Sequence, residues 1–192
     1  MPVLFVGHGS PMNAIEDNAV TRGWRDAAAS LPKPRAILCV SAHWETRGVY
    51  ACANPQPETI HDFYGFPQAL FDVRYPAPGH PALAQRVTEL VRGTPVRTTD
   101  DWGLDHGAWS VLRIMYPQAD VPVVQLSLDT SQAGAFHLGI ARELAPLRDA
   151  GVLLVAMSRV VLGLHYPSDV LAAMLIGGAL GSVSLWLVHT LS

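Results

Sequence analysis

The stretch VLFVGHGSP at residues 3–11 decides the fold. Four apolar residues, two of them β-branched, predict a short strand that is buried on both faces. A Gly–His–Gly sequence follows at once, and its glycines permit a sharp exit from the strand and a close approach of the backbone to a ligand. We therefore expect His8 at the carboxyl end of a buried strand, where open α/β sheets place their functional sites.

A second stretch of the chain repeats this design. Residues 36–40, AILCV, predict another buried strand, and residues 41–44, SAHW, form its exit. If the two strands are neighbours, His8 and His43 come close enough to share one metal ion, because the carboxyl ends of parallel strands meet at one edge of the sheet. The alternative is that each imidazole only makes hydrogen bonds within a buried turn. We favour the metal site because both histidines follow the same pattern.

The remainder of the chain alternates helices with strands, which is typical of an α/β fold. We predict a mostly parallel central sheet flanked by helices, with the strand at 48–53 as a candidate antiparallel member. The predicted helices cover residues 14–30, 81–92, 105–115 and 131–148, and the further strands cover 95–98, 121–128 and 152–156.

Composition limits the possible partners and the compartment. A length of 192 residues allows a single domain with a short addition. The net charge of −3 indicates no nucleic-acid partner. The two cysteines, Cys39 and Cys52, lie in apolar runs and make no disulfide framework, which favours a reducing cytoplasm. No basic region followed by an apolar run opens the chain, so no signal peptide is expected. The oligomeric state stays open.

A long irregular loop at residues 55–67 contains the sequence TIHDFYGFP. Loops of this length in compact domains are often functional, and its aromatic residues could wall a pocket for a planar substrate. His61 lies among these aromatic residues. The alternative is that they form a small satellite core under the loop, and the sequence favours neither.

His106 is the candidate for acid–base chemistry. It stands between Asp105 and Gly107 at the start of a predicted apolar helix. A histidine that binds no metal can take up or release a substrate proton near neutral pH. Two imidazoles suit Fe(II) or Zn(II), although a working non-haem iron site normally has a third protein ligand.

Residues 1 to about 155 contain, in this order, the stretches GHGSPMNAIEDN, SAHWETRG, TIHDFYGFPQALFDVRYPAPG, GLDHGAWSVLRIMYP and ADVPVVQLSLD. In these stretches the chain resembles the DOPA-dioxygenase-type (class III) extradiol ring-cleavage dioxygenases. The resemblance implies that His8 and His43 bind the metal, Fe(II) or Zn(II), and that His106, the predicted catalytic residue, lines the substrate site, with His61 as the candidate substrate contact. It also implies a catechol-type aromatic substrate and dioxygen.

After the last strand the sequence departs from this family. The family continues with GNVVHNL, whose histidine belongs to the active site, whereas residues 158–164 here read SRVVLGL and Leu162 holds the place of the histidine. A later family segment with another metal-ligand histidine is not found. We therefore predict an incomplete, truncated dioxygenase-like domain over residues 1–155. A non-catalytic metal- or catechol-binding domain is an alternative function.

The C-terminal residues 156–192 resemble a different family. Residues 158–169, SRVVLGLHYPSD, resemble the third signature motif of the type 2 phosphatidic acid phosphatases. That resemblance implies that Arg159 binds phosphate, His165 is the nucleophile and Asp169 orients it. The first and second motifs of that family are not found. The alternative enzyme is therefore a membrane lipid-phosphate phosphatase fragment, and residues 156–192 are predicted as a second, chimeric unit.

A hydrophobic C-terminal helix is predicted over residues 170–191. This stretch contains no Asp, Glu, Lys or Arg. As a helix it would extend about 33 Å, close to the thickness of a bilayer core. We expect membrane association through this segment or self-association. The alternative is a core helix that the preceding domain covers.

Overall fold

The computed structural model describes residues 1–158. Helices and strands alternate in these residues as the sequence predicts. The strands are β1 Val3–Gly7, β2 Ala36–Thr46, β3 Val49–Cys52, β4 Val96–Thr99, β5 Val123–Asp129 and β6 Val152–Ser158. The helices are α1 Ala19–Ala29, α2 Gln68–Phe71, α3 Pro81–Leu90, α4 His106–Met115 and α5 Gly134–Glu143, with short 3-10 helices at Pro11–Ala14 and Ala145–Arg148.

Within the described residues the strands form one sheet in the order β1-β6-β2-β5-β3-β4. The pairs are parallel, except that β3 runs antiparallel to β5. The predicted α/β class, the mostly parallel sheet and the antiparallel third strand are therefore confirmed. The first two strands are not neighbours, however, because β6 pairs with β1 on one side and with β2 on the other.

Alternation along the central strands divides the core between the two faces of the sheet. On β2, Ile37 and Cys39 belong to one apolar cluster and Ala36 and Leu38 to the other. The first cluster includes residues of α1 and α4, and the second includes residues of α3 and α5. Helices thus cover both faces, as a parallel sheet requires, and the loops at the carboxyl ends of the strands are left to carry the site.

Strand β1 differs from the prediction. It was expected to be buried on both faces, but its residues are only partly buried and Phe5 is 43% exposed. The reason is its position at the edge of the sheet, where β6 is its one partner strand among residues 1–158.

Two predicted helices are shorter than expected. The helix predicted from residue 14 begins at Ala19, because the Asn18 side chain accepts hydrogen bonds from the backbone N–H groups of Val20 and Thr21 and so caps the helix there. The helix predicted over 131–148 ends at Glu143. Pro146 follows in a separate 3-10 turn, and proline disfavours helical backbone in the residue before it.

Several predictions lie outside the described residues. These are the second unit at 156–192 beyond Ser158, the phosphatase-type residues Arg159, His165 and Asp169, and the hydrophobic helix at 170–191. Among residues 1–158, no helix is long and apolar enough to cross a membrane.

Candidate metal centre

His8 is held where β1 ends. Its backbone N–H donates to the Ser158 carbonyl at 3.0 Å, which continues the pairing with β6. Gly9 then adopts a φ of +63°, a conformation that favours glycine, and turns the chain away from the strand. The Asn13 side chain donates to the His8 carbonyl at 3.0 Å and fixes this turn. His8 is only 3% exposed, so its imidazole lies inside the protein.

His43 lies within β2 rather than after it. Val40 of β2 pairs with Leu126 of β5, and the next paired residues are Glu45 and Leu128. Four residues of β2 therefore lie opposite one residue of β5, and they form a bulge. The Ser41 hydroxyl accepts a hydrogen bond from the His43 backbone N–H at 3.2 Å. The predicted strand exit is therefore an irregularity inside a longer strand, and the His43 side chain extends from it to His8.

His106 is the first residue of α4. The Asp105 side chain caps this helix and accepts from the Ala108 N–H at 3.1 Å. Gly107 brings the helix close to β2, since a Cβ on this residue would lie 2.6 Å from His43 Cδ2. The start of α4 therefore packs directly against the bulge, and His106, 6% exposed, lies beside the other two histidines.

The structure brings His8, His43 and His106 into one cluster. Their ring centroids lie 3.9–5.2 Å apart, and one ring nitrogen from each lies within 4.8 Å of the others. The Nε2 atoms of His8 and His43 are 2.9 Å apart. Two nitrogens bound at right angles to one ion, with bonds of about 2.1 Å, lie about 3.0 Å apart, so this pair fits a shared metal ion. Imidazole nitrogen also suits Fe and Zn.

The Asp62 carboxylate faces two of these rings. Its Oδ1 accepts from the His106 backbone N–H at 2.9 Å and lies 2.9 Å from His106 Nδ1, out of line for a well-aligned ring hydrogen bond. Its Oδ2 lies 3.6 Å from His43 Nδ1. Burial raises the pKa of Asp62, but the nearby His106 ring and the His106 backbone N–H together outweigh burial and hold the pKa below its usual range. Sequence reasoning missed this residue, although it adjoins His61.

Beneath the histidines lies a buried polar network. The Ser41 hydroxyl donates to Asp105 Oδ1 at 2.7 Å, and the Gln125 side-chain amide donates to Asp105 Oδ2. Burial and, to a smaller extent, the nearby charge of Asp62 together raise the pKa of Asp105 to about 6 against the opposing effect of the Ser41 hydrogen bond. The network ties β2, β5 and the start of α4 together below the candidate metal centre.

His61 lies outside the histidine cluster, in an aromatic group. Its ring packs against Phe63, Phe71 and Trp109 at centroid distances of 5.5–6.1 Å, and its Nε2 lies 3.1 Å from the Val73 carbonyl. Phe63 also packs edge-on against His106, with centroids 5.6 Å apart. The aromatic residues of the loop therefore form a packed cluster, as the satellite-core alternative predicts, and Phe63 extends this cluster to His106. A wall for a planar substrate stays a prediction.

The fold and the site define an α/β protein with a candidate metal centre at the carboxyl ends of its parallel strands. The chain belongs to the family described as the catalytic LigB subunit of aromatic ring-opening dioxygenase, whose model matches residues 2–156. This match confirms the predicted resemblance of that part of the chain. A second family model, the PAP2 superfamily, matches residues 133–192 and overlaps the first.

Similar proteins carry names of the same kind. A 4,5-DOPA dioxygenase extradiol from Escherichia coli K12 is 57% identical over 84% of this chain and 60% of its own length. One from Beta vulgaris is 44% identical over 79% of this chain and 59% of its own. The crystal structure of an uncharacterized protein from Escherichia coli K12 has a TM-score of 0.71 and 50% identity, covering 85% of this chain and 62% of that one. The chain thus spans about 60% of the length of these curated relatives.

Proposed function

We propose that this chain carries an extradiol ring-cleavage site for a catechol-type aromatic substrate and dioxygen, with a non-haem metal ion, Fe(II) or Zn(II), bound by His8 and His43. One observation carries the proposal. Three histidines from separate parts of the chain converge at the carboxyl ends of the strands in a member of a ring-opening dioxygenase family. Structural histidines satisfied by local hydrogen bonds would not need to meet in this way.

Each residue of the site has a distinct role in this proposal. His8 and His43 hold the ion from either side of β6, because both project from strands that pair with it. A metal ion bound there would supply a Lewis-acid centre with open positions for the substrate hydroxyls and dioxygen. His106 lies beside the metal ligands without being needed as one, and it accepts or returns a hydroxyl proton of the substrate.

The aromatic cluster gives the substrate a surface of matching shape. Phe63 lies edge-on to His106 and connects it to the His61 ring. A planar ring can pack against such faces and edges while its hydroxyls reach the metal. In this proposal His61 contacts the substrate from within the cluster.

Oxygen uptake tests the proposed activity. The full chain is loaded with Fe(II) without air and then mixed with aerated L-DOPA, a probe chosen because curated relatives are named for it. We expect oxygen uptake together with the absorbance of a ring-opened product. No uptake by a chain that binds Fe(II) would contradict ring cleavage and favour the non-catalytic metal-binding alternative.

Metal titration tests the ligands separately. His8→Ala and His43→Ala should each weaken metal binding and lose oxygen uptake, since each removes one of the paired Nε2 atoms. His80→Asn is the matched control, because His80 only caps α3 through its side chain and asparagine can replace it there. Unchanged stoichiometry and affinity in both alanine variants would remove the proposed site.

A second candidate function rests on the PAP2 match over residues 133–192. In this reading the chain releases phosphate from a lipid phosphate, with Arg159 binding phosphate, His165 attacking phosphorus and Asp169 orienting the imidazole. Phosphate release from phosphatidic acid vesicles that is lost in His165→Ala would support it. No release above that of the His165→Ala chain would remove it.

A further inference from the structure

We propose that Asp62 is a positioning residue which sets the tautomer of His43 and the orientation of His106. This inference rests on the proposed function, since it assigns His43 Nε2 to the metal. It concerns a residue of the aromatic loop whose contacts reach both the metal-ligand and the acid–base histidine.

The two carboxylate oxygens of Asp62 divide between the two histidines. Oδ1 accepts from the His106 backbone N–H at 2.9 Å and lies equally close to His106 Nδ1. Oδ2 lies 3.6 Å from His43 Nδ1, beyond hydrogen-bond length, so this contact is electrostatic. The Asp62 side chain is 25% exposed, so water screens its charge only in part.

A negative oxygen beside Nδ1 favours the proton on that nitrogen. His43 then keeps the lone pair of Nε2 directed at His8 Nε2, 2.9 Å away, where a shared ion would lie. Metal-binding histidines commonly direct their other ring nitrogen at a carboxylate, which fixes the tautomer and the ring orientation. Without a metal, the same tautomer makes His8 Nε2 the donor of the short contact between the two rings.

The loop holds Asp62 firmly enough for this role. The Trp109 indole N–H donates to the Ile60 carbonyl at 2.8 Å, and the Ile60 N–H donates to the Leu104 carbonyl at 2.8 Å. The segment before Asp62 is therefore tied to α4 and to the residues just before His106. These contacts place the backbone two residues before Asp62 without a bound ion.

Asp62→Asn gives the sharpest test, because the His106 N–H requires an oxygen acceptor at the Oδ1 position. The amide nitrogen must then occupy the Oδ2 position and present N–H to His43 Nδ1, which favours the wrong tautomer. We expect Co(II), titrated alone and followed by its visible absorbance, to bind about 10–100-fold more weakly. Asp62→Asn should lose at least as much affinity as Asp62→Ala, whereas a purely structural role predicts that the isosteric variant loses less.

The controls separate this inference from the proposed function. Asp72→Asn changes an exposed acid farther along the same segment, whose carboxylate accepts from Gln68, and should bind Co(II) as the unchanged chain does. Asp62→Glu restores the charge and should recover part of the affinity. If the unchanged chain binds Co(II) and Asp62→Asn binds it equally well, the inference fails while the metal site stands. If the unchanged chain binds no Co(II), the proposed function and this inference both fail.

Imidazole nitrogen NMR of the metal-free chain provides a second readout, and its decisive measurement is made on the unchanged chain. We expect His43 to carry its proton on Nδ1 in the unchanged chain and to shift toward Nε2–H in Asp62→Asn. An Nε2–H tautomer of His43 in the unchanged chain would overturn the inference.

Discussion

At the scale of single residues, Gly107 sets how closely α4 approaches the bulge of β2. A Cβ at this position would lie 2.6 Å from His43 Cδ2 and 2.8 Å from the Ser41 hydroxyl. Gly107→Ala should therefore displace His43 and weaken metal binding, which isothermal titration with Zn(II) would measure. Gly139→Ala is the matched control within α5, where a Cβ meets no atom of residues 1–158 within 4 Å.

The two glycine variants should differ in their effects on stability and on metal binding. Gly139→Ala is expected to stabilise the protein by about 0.5–1 kcal/mol, since alanine favours helix over glycine, and to leave metal binding unchanged. Equal metal affinity in both variants would show that the close approach of Gly107 does not position His43.

His106 should be separable from the metal ligands. If it acts on substrate protons, His106→Ala should lower turnover by about 10²–10⁴-fold while the chain still binds its metal. Metal content after dialysis and the initial rate of oxygen uptake give the two readouts. A variant that loses its metal would instead assign His106 as a third ligand, which the cluster geometry also permits.

The sequence revealed the three histidines because each stands beside glycine or small residues at the end or start of a predicted element. It did not reveal Asp62, whose hydrogen bond with His106 spans 44 residues of the chain. Nor did it reveal the network through Gln125, because a polar residue within a mostly apolar strand does not indicate its partners. Contacts between loops depend on how elements pack, and no local pattern encodes them.

At the scale of elements, β2 was predicted too short for a physical reason. Its apolar run ends at Val40, and the polar Ser41 and His43 read as a loop. Backbone pairing with β5 resumes at Glu45, after the bulge. Functional side chains interrupt the apolar pattern of a strand without ending the strand. The predicted end of β2 was therefore wrong at the residues that form the site.

The aromatic loop should depend on its attachment to α4. Trp109→Phe removes the hydrogen bond to the Ile60 carbonyl and should lower the free energy of unfolding by about 1–3 kcal/mol. Because this bond also holds the segment before Asp62, we expect weaker Co(II) binding as well.

Trp24→Phe is the control for this variant, since Trp24 packs in the same apolar cluster from α1. Thermal unfolding and Co(II) titration of both variants would compare them. If Trp109→Phe loses stability but keeps full metal affinity, the loop attachment does not position the site.

At the scale of the whole molecule, the site depends on the order of the strands. His8 and His43 come from β1 and β2, which never pair with each other, and β6 brings them together. The sequence predicted the convergence on the condition that the two strands were neighbours, whereas in the structure β6 lies between them. Strand order is set by the packing of helices on both faces, and the hydrophobic pattern of each strand does not specify it.

The segment at residues 170–191 leads to a prediction about the whole chain. Because it contains no Asp, Glu, Lys or Arg, we expect the full chain to sediment with membranes or to self-associate without detergent. Fractionation of expressing cells, followed by sizing with and without detergent, checks this. A monomer that stays in solution without detergent would contradict it and favour coverage of the segment by the preceding domain.

The central claim is that a metal ion lies between His8 and His43, and anomalous diffraction tests it most directly. Crystals of the full chain grown with Zn(II) would be measured on both sides of the zinc absorption edge. The account predicts an anomalous peak within bonding distance, about 2.0–2.1 Å, of both Nε2 atoms, with Asp62 facing His43 Nδ1 from the other side of the ring. Zinc bound elsewhere, with the two Nε2 atoms still hydrogen-bonded to each other, would contradict it.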